Sequence, residues 1–233
     1  MPRTIETIVY RYDELTPEAR EKARLQLTDT IDYSESLMCH FVQRLHAAGY
    51  PTLDINYSLN YCQGDGMAFF SGGHWPDFNK PTGVWWDLDK GHASLSLNLV
   101  RVWFRRLAKY YTRDKKRELY RLYTTYVVPG FVEVSVRINR RGSHRYTHYN
   151  SMEIEFTVDI RDREALAEGD AYAVEYEATE FELNLADDVK DISKELEKEG
   201  YAEIEYQQGD ANVAEYADAN DYEFTRSGKL YGR

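Results

Sequence analysis

Phe131-Val132-Glu133-Val134-Ser135-Val136-Arg137-Ile138-Asn139 and Met152-Glu153-Ile154-Glu155-Phe156-Thr157-Val158-Asp159-Ile160 decide the fold class. In the first stretch Val132, Val134, Val136 and Ile138 share one face of an extended chain. In the second, Met152, Ile154, Phe156, Val158 and Ile160 do. Alternation with a period of two predicts strands with one dry and one wet face. The polar run 140–151 between them reads as a hairpin tip, so the pair is expected to be antiparallel.

Upstream the period changes. Val100, Trp103, Phe104, Leu107 and Tyr111 recur at three and four, and Leu119, Leu122, Tyr123 and Tyr126 resume the pattern. This predicts helix over 97–126, interrupted near Arg113-Asp114-Lys115-Lys116 and ended by Pro129-Gly130. Further upstream, Thr16-Pro17-Glu18 is a helix start, and Leu15, Ala19, Ala23 and Leu27 form a stripe to about Thr28. A second helix is expected from Ser34 through Leu37, Phe41, Leu45 and Ala48, stopped by Gly49 and Pro51. Residues 4–12 read as a strand. Residues 53–61 and 67–71 read as a hairpin around Gln63-Gly64-Asp65-Gly66, and 72–91 as a long loop anchored by Trp75, Trp85 and Trp86.

Downstream, 174–185 fits both periods, while 187–199 is helical through Val189, Ile192 and Leu196. Residues 201–206 either extend that helix past Gly200 or form a strand. Asp210 is expected to cap a short helix through Val213, Tyr216 and Ala217, and 222–231 to close as a small hairpin or edge. Together these elements predict an α+β fold: an antiparallel sheet from several hairpins packed against three to five helices, as a single domain over 1–233. Its natural subdivisions would be 1–96, 97–160 and 161–233.

The chain has 233 residues and a formal net charge of −11. It is unevenly spread: residues 1–100 carry 8 basic and 13 acidic side chains, 101–150 carry 13 and 3, and 151–233 carry 8 and 24. The basic middle and the acidic end either neutralise each other inside one molecule or face outside partners. The 42% hydrophobic content excludes a disordered chain. No apolar run is long enough to span a membrane, and Met-Pro-Arg-Thr-Ile-Glu lacks the pattern of a secretory signal. Two cysteines, Cys39 and Cys62, exclude a disulfide framework or a multi-cysteine zinc site.

Three constellations stand out. Arg101, Arg105, Lys109 and Arg113 recur every four residues, and Arg140, Arg141 and Arg145 cluster with Tyr146 and Tyr149. Arginines among aromatic rings suit phosphate neutralisation and base stacking, so nucleic acid is one candidate partner. The acidic end, with Asp187, Asp188, Asp191, Glu195 and Glu199, could imitate the charge spacing of nucleic acid and occupy a protein's binding groove. The loop Cys62, Gln63, Gly64, Asp65 and Gly66, with His74, offers a thiol, a carboxylate and glycines that admit a ligand close to the backbone. His74 with Asp77, and Asp87 with Asp89 and His92, carry metal-ligand atoms at spacings that match no familiar zinc or calcium pattern. No motif names a reaction or a cofactor. The pentad Tyr-x-Gln-Gly-Asp occurs twice, at 61–65 and 206–210, and reads as shared turn chemistry.

Val9-Tyr10-Arg11-Tyr12-Asp13-Glu14-Leu15-Thr16-Pro17-Glu18-Ala19-Arg20-Glu21-Lys22-Ala23 resembles the start of small proteins common in tailed bacteriophages. Ile55-Asn56-Tyr57-Ser58-Leu59-Asn60-Tyr61-Cys62-Gln63-Gly64-Asp65-Gly66-Met67-Ala68-Phe69 is similar to their second hallmark. Ala219-Asn220-Asp221-Tyr222-Glu223-Phe224-Thr225 is similar to their tail. Many of these proteins carry an antitoxin-like label. The resemblance covers roughly the first 70 and the last 30 residues. It implies a phage accessory protein acting inside a bacterium, and it assigns no catalytic residue. The first expectation is a non-enzymatic protein of the host cytoplasm that uses its acidic end to bind and neutralise a bacterial host or toxin protein, with no metal or cofactor. A nucleic-acid-binding protein using 101–145, and a small enzyme with a site near Cys62, Asp65 and His74, are the alternatives.

Overall fold

In the computed structural model, residues 7–50, 54–70, 107–141 and 146–232 are described. They form helices α1 (Pro17–Thr28) and α2 (Ser34–Ala47), strands β1 (Asp54–Ser58) and β2 (Gly66–Phe70), and helix α3 (Arg113–Leu122). Strands β3 (Val132–Arg140) and β4 (Met152–Ile160) and helices α4 (Asp170–Gln207) and α5 (Asp210–Ala219) follow. The fold is mixed α+β. β1 and β2 pair antiparallel, as do β3 and β4.

The β3–β4 pair runs in register from Val132 opposite Ile160 to Arg140 opposite Met152. Along β4 the burial alternates residue by residue, with Glu153, Glu155, Thr157 and Asp159 exposed. The period-two reading therefore gave the strand, its face and its partner. The β1–β2 register pairs Asp54 with Phe70 and Ser58 with Gly66.

The chain divides into two compact units. The first joins both ends, residues 1–37 and 199–233; the second comprises residues 38–198. In the first unit Leu15, Ala19, Ala23 and Leu27 are buried with Tyr12, Val213, Ala217 and Phe224. Burying each larger apolar side chain contributes about 1.5–3 kcal/mol. Thr16 caps α1 by accepting from the Ala19 amide, and Pro17 takes the first helical position. Gly228, at φ +81°, turns the tail so closely over α1 that an added Cβ would lie 1.9 Å from the Ala19 carbonyl oxygen. In the second unit Phe41, Leu45, Tyr50, Met67 and Phe69 are fully buried, as are Ile138, Leu185, Ile192 and Leu196.

Several sequence expectations are corrected. Of the strand expected over 4–12, the described part forms a single bridge, Tyr10 with Phe224, and then turns through a 3-10 segment at Tyr12–Glu14. A strand needs a continuous partner, and here only one residue has one. The helix break falls before Arg113, not within 113–116: Leu107–Tyr110 is a 3-10 turn, and Thr112 caps α3 by accepting from the Lys115 amide. α3 ends in a π turn, Tyr123–Val127. Asp210 is not the cap of α5 but its first residue, after Gly209. The ambiguous 174–185 and 201–206 are both helix, inside α4. The twin pentads differ: Gly64 has φ +99° while Gly209 has φ −64°. The expected loop 72–91 and the expected helix over 97–106 lie outside the described residues. Among the described residues no helix is long and apolar enough to cross a membrane.

Candidate functional site

α4 organises the charged chemistry of the second unit. At about 100° per residue, positions seven apart lie within about 20° of each other and positions eighteen apart return in line. Asp170, Glu177 and Asp188 therefore stand on one stripe, with Asp191 one turn further. Each meets a cation or a hydroxyl from the basic middle. Lys109 Nζ lies 3.0 Å from Asp191 Oδ2 and 3.7 Å from Asp188 Oδ1. Lys115 binds Glu177. Arg121 grips both oxygens of Asp170 at 2.8 Å, a bidentate fork, and Tyr126 donates to the same carboxylate. The Arg121 guanidinium, and after it the Tyr126 hydroxyl, hold the Asp170 carboxyl down to about 2. Tyr50, fully buried, donates its hydroxyl to Asp188 Oδ2 at 2.6 Å.

The sequence-predicted partner residues thus scatter. Asp188 is 1% exposed and is an internal acceptor, not a surface group. Asp191 is tied to Lys109, and Glu195 lies 3.8 Å from Arg44. Asp187 is exposed. Glu199 belongs to the first unit. Among the basic candidates, Lys109 is spent on α4, and Arg113 is exposed at the start of α3. Arg140 lays its guanidinium 4.9 Å from the Phe70 ring. Arg101, Arg105, Arg145 and His74 lie outside the described residues, as do Asp77, Asp87, Asp89 and His92.

The Cys62 loop is a structural turn built on one carboxylate. Asp65 Oδ2 accepts from the Asn60 amide at 2.6 Å and the Cys62 amide at 2.9 Å. Oδ1 accepts from Ser58 Oγ at 2.9 Å and from Cys62 Sγ at 3.1 Å. The bond to Asp65 raises the Cys62 thiol above its ordinary value, opposite to what a nucleophilic cysteine needs. Gly64 and Gly66 do admit a close neighbour, but it is the protein itself. An added Cβ at Gly64 would strike the Tyr146 ring at 2.2 Å, and one at Gly66 would meet His148 at 2.7 Å. Nearby, burial and then the Asp65 charge push the Glu197 carboxyl up.

Sequence reasoning missed Lys190, Lys194 and Lys198, which sit in the acidic end but share one face of α4. Their four-residue spacing was the available signal. Among the described residues no group of three or more His, Cys, Asp or Glu is placed to hold a metal ion.

The two units differ in charge. The second carries 21 basic and 24 acidic side chains, and the first 8 and 16, a net −8. In the first unit Arg11 pairs with Asp221 at 3.2 Å and Arg20 with Asp210 at 3.9 Å. Glu18, Glu205, Glu215, Asp218 and Glu223 are exposed. Comparison with known protein families, curated proteins and solved structures found no match.

Proposed function

We propose that this chain is a non-enzymatic binding protein, of the kind suggested by its resemblance to tailed-phage accessory proteins. It would act in a bacterial host's cytoplasm by docking on, and neutralising, a basic host-defence or toxin protein. The observation that carries this reading is the charge left over after internal pairing. Within the second unit Lys109, Lys115 and Arg121 of the basic middle are answered by α4, whereas the first unit keeps twice as many carboxylates as cations. Such a surface steers basic partners and imitates the sign, though not the chemistry, of a nucleic-acid backbone. The docking face is accordingly moved from the α4 aspartates to the exposed carboxylates of α1 and α5.

The test is capture from a bacterial lysate at two salt concentrations. One dominant basic protein should be retained at low salt and released at high salt. The charge-reversed variant E18K/E215K should lose it, while D187K should keep it. Equal retention by both variants would refute the reading.

A further inference from the structure

The cations around α4 fall into two groups. Lys109, Lys115 and Arg121 hold carboxylates, whereas Lys190 and Lys194 stand against an aromatic ring, 5.2 Å and 4.5 Å from the centre of Tyr149. Lys198 follows one turn later, and all three lysines are exposed. Across from Lys190 stands Arg141, just past the end of β3, while Arg140 turns to the Phe70 ring. The Arg141 amide donates to the Ser151 carbonyl at 2.8 Å, which fixes the root of its side chain. Among the described residues no ion pair joins Arg141, Lys190 or Lys194 to a carboxylate.

Between the hairpin and α4 lies a half-open groove of about 300 Å³. Arg141, Lys190, Glu153 and Asp187 stand at its rim, and Tyr149 and Asn150 line it above Met152 and Val189. That volume is at the small end of ligand sites, which typically combine an apolar floor with a few polar groups. Cations beside an aromatic ring suit a phosphate attached to a flat base.

We propose that this groove binds a nucleoside phosphate. The phosphate is held by Arg141 and Lys190, which line the groove, and by Lys194, which reaches it from beside the Tyr149 ring; the base lies against Tyr149 and the apolar floor, and Asp187 or Glu153 accepts from a sugar hydroxyl or an exocyclic amine. This site is independent of the acidic first unit and of any protein docked there.

The test is fluorescence anisotropy of the full chain with a short fluorescein-labelled oligothymidylate, with AMP, ATP and inorganic phosphate as competitors. Binding should weaken with salt, and AMP should compete better than inorganic phosphate. K190E/K194E should weaken binding at least ~10-fold and flatten the log–log salt slope by about 1.4, since two phosphate contacts are removed. Its circular dichroism should be unchanged. Competition by mononucleotide at the oligonucleotide's own affinity would identify a free nucleotide; preference for the oligonucleotide would identify a strand. No binding at low salt, binding that survives both K190E/K194E and R141E, or equal competition by phosphate and AMP would overturn the proposal.

Discussion

Replacing Asp188 by Ala separates the internal role of this residue from a surface one. Its Oδ2 accepts from the fully buried Tyr50 hydroxyl at 2.6 Å. A hydrogen bond to a charged group contributes about 1.5–3 kcal/mol, and stranding a buried hydroxyl forfeits that and more. Lys109 adds a second arm at 3.7 Å, but its side chain is 50% exposed, so that arm contributes at most about 1 kcal/mol. The sum is a loss of about 2–4 kcal/mol. For a chain of this size each kcal/mol moves the melting point by about 2–4 °C, so D188A should melt about 5–15 °C lower. Its neighbour Asp187 is exposed, and D187A should stay within about 0.5 kcal/mol of the parent. Urea unfolding followed by circular dichroism measures both. A double-mutant cycle with Tyr50→Phe should return a coupling of about 1.5–3 kcal/mol. Equal stabilities of D188A and D187A, or a coupling near zero, would refute the internal role.

Other outcomes follow from the same geometry. Gly228→Ala should destabilise the first unit by about 3 kcal/mol or more, because a left-handed residue gains a Cβ against the Ala19 carbonyl; urea midpoints check it. Asp170 is depressed in the folded protein, so its contribution is complete above the ordinary carboxylate value and is lost as pH falls toward about 2. D170N should therefore melt lower than the parent near neutrality and lose part of the acid limb of a melting-point-against-pH curve. Glu197 shows the opposite sign: burial and Asp65 raise it, so stability falls as pH rises through its raised value. E197Q should be more stable than the parent near neutral pH and show no advantage well below the ordinary glutamate value.

Much of the fold was legible because its signals are local. The period of two in 132–138 and 152–160 named β3 and β4 and the face of β4 that turns inward, and the stripes on α1 and α2 named core residues that are all buried. In its described part, 7–12, the expected strand misread residues rich in β-branched and aromatic types. Propensity describes a residue, whereas a strand exists only where a partner strand offers its hydrogen bonds. The candidate site was less legible. Arg101, Arg105, Lys109 and Arg113 look like a face by spacing alone, yet Lys109 is consumed by Asp188 and Asp191 some eighty residues away. Glycines at 64 and 66 signalled a close approach, but not that Tyr146 and His148 make it.

The sequence by itself determined most of the helices, the β3–β4 pair and the apolar stripes of α1 and α2, and how much charge of each sign every segment carries, because these depend on neighbours a few positions apart. Only the tertiary structure decided which charges survive as surface. Coulomb attraction acts through space, so α4 can take up Lys109, Lys115 and Arg121 of the basic middle from up to some eighty residues away. The same helix places Lys190 and Lys194 from the acidic end against Tyr149, with Lys190 on the groove that Arg141 also lines. The −11 of the whole chain becomes a nearly balanced unit and an acidic one, a partition invisible along the chain.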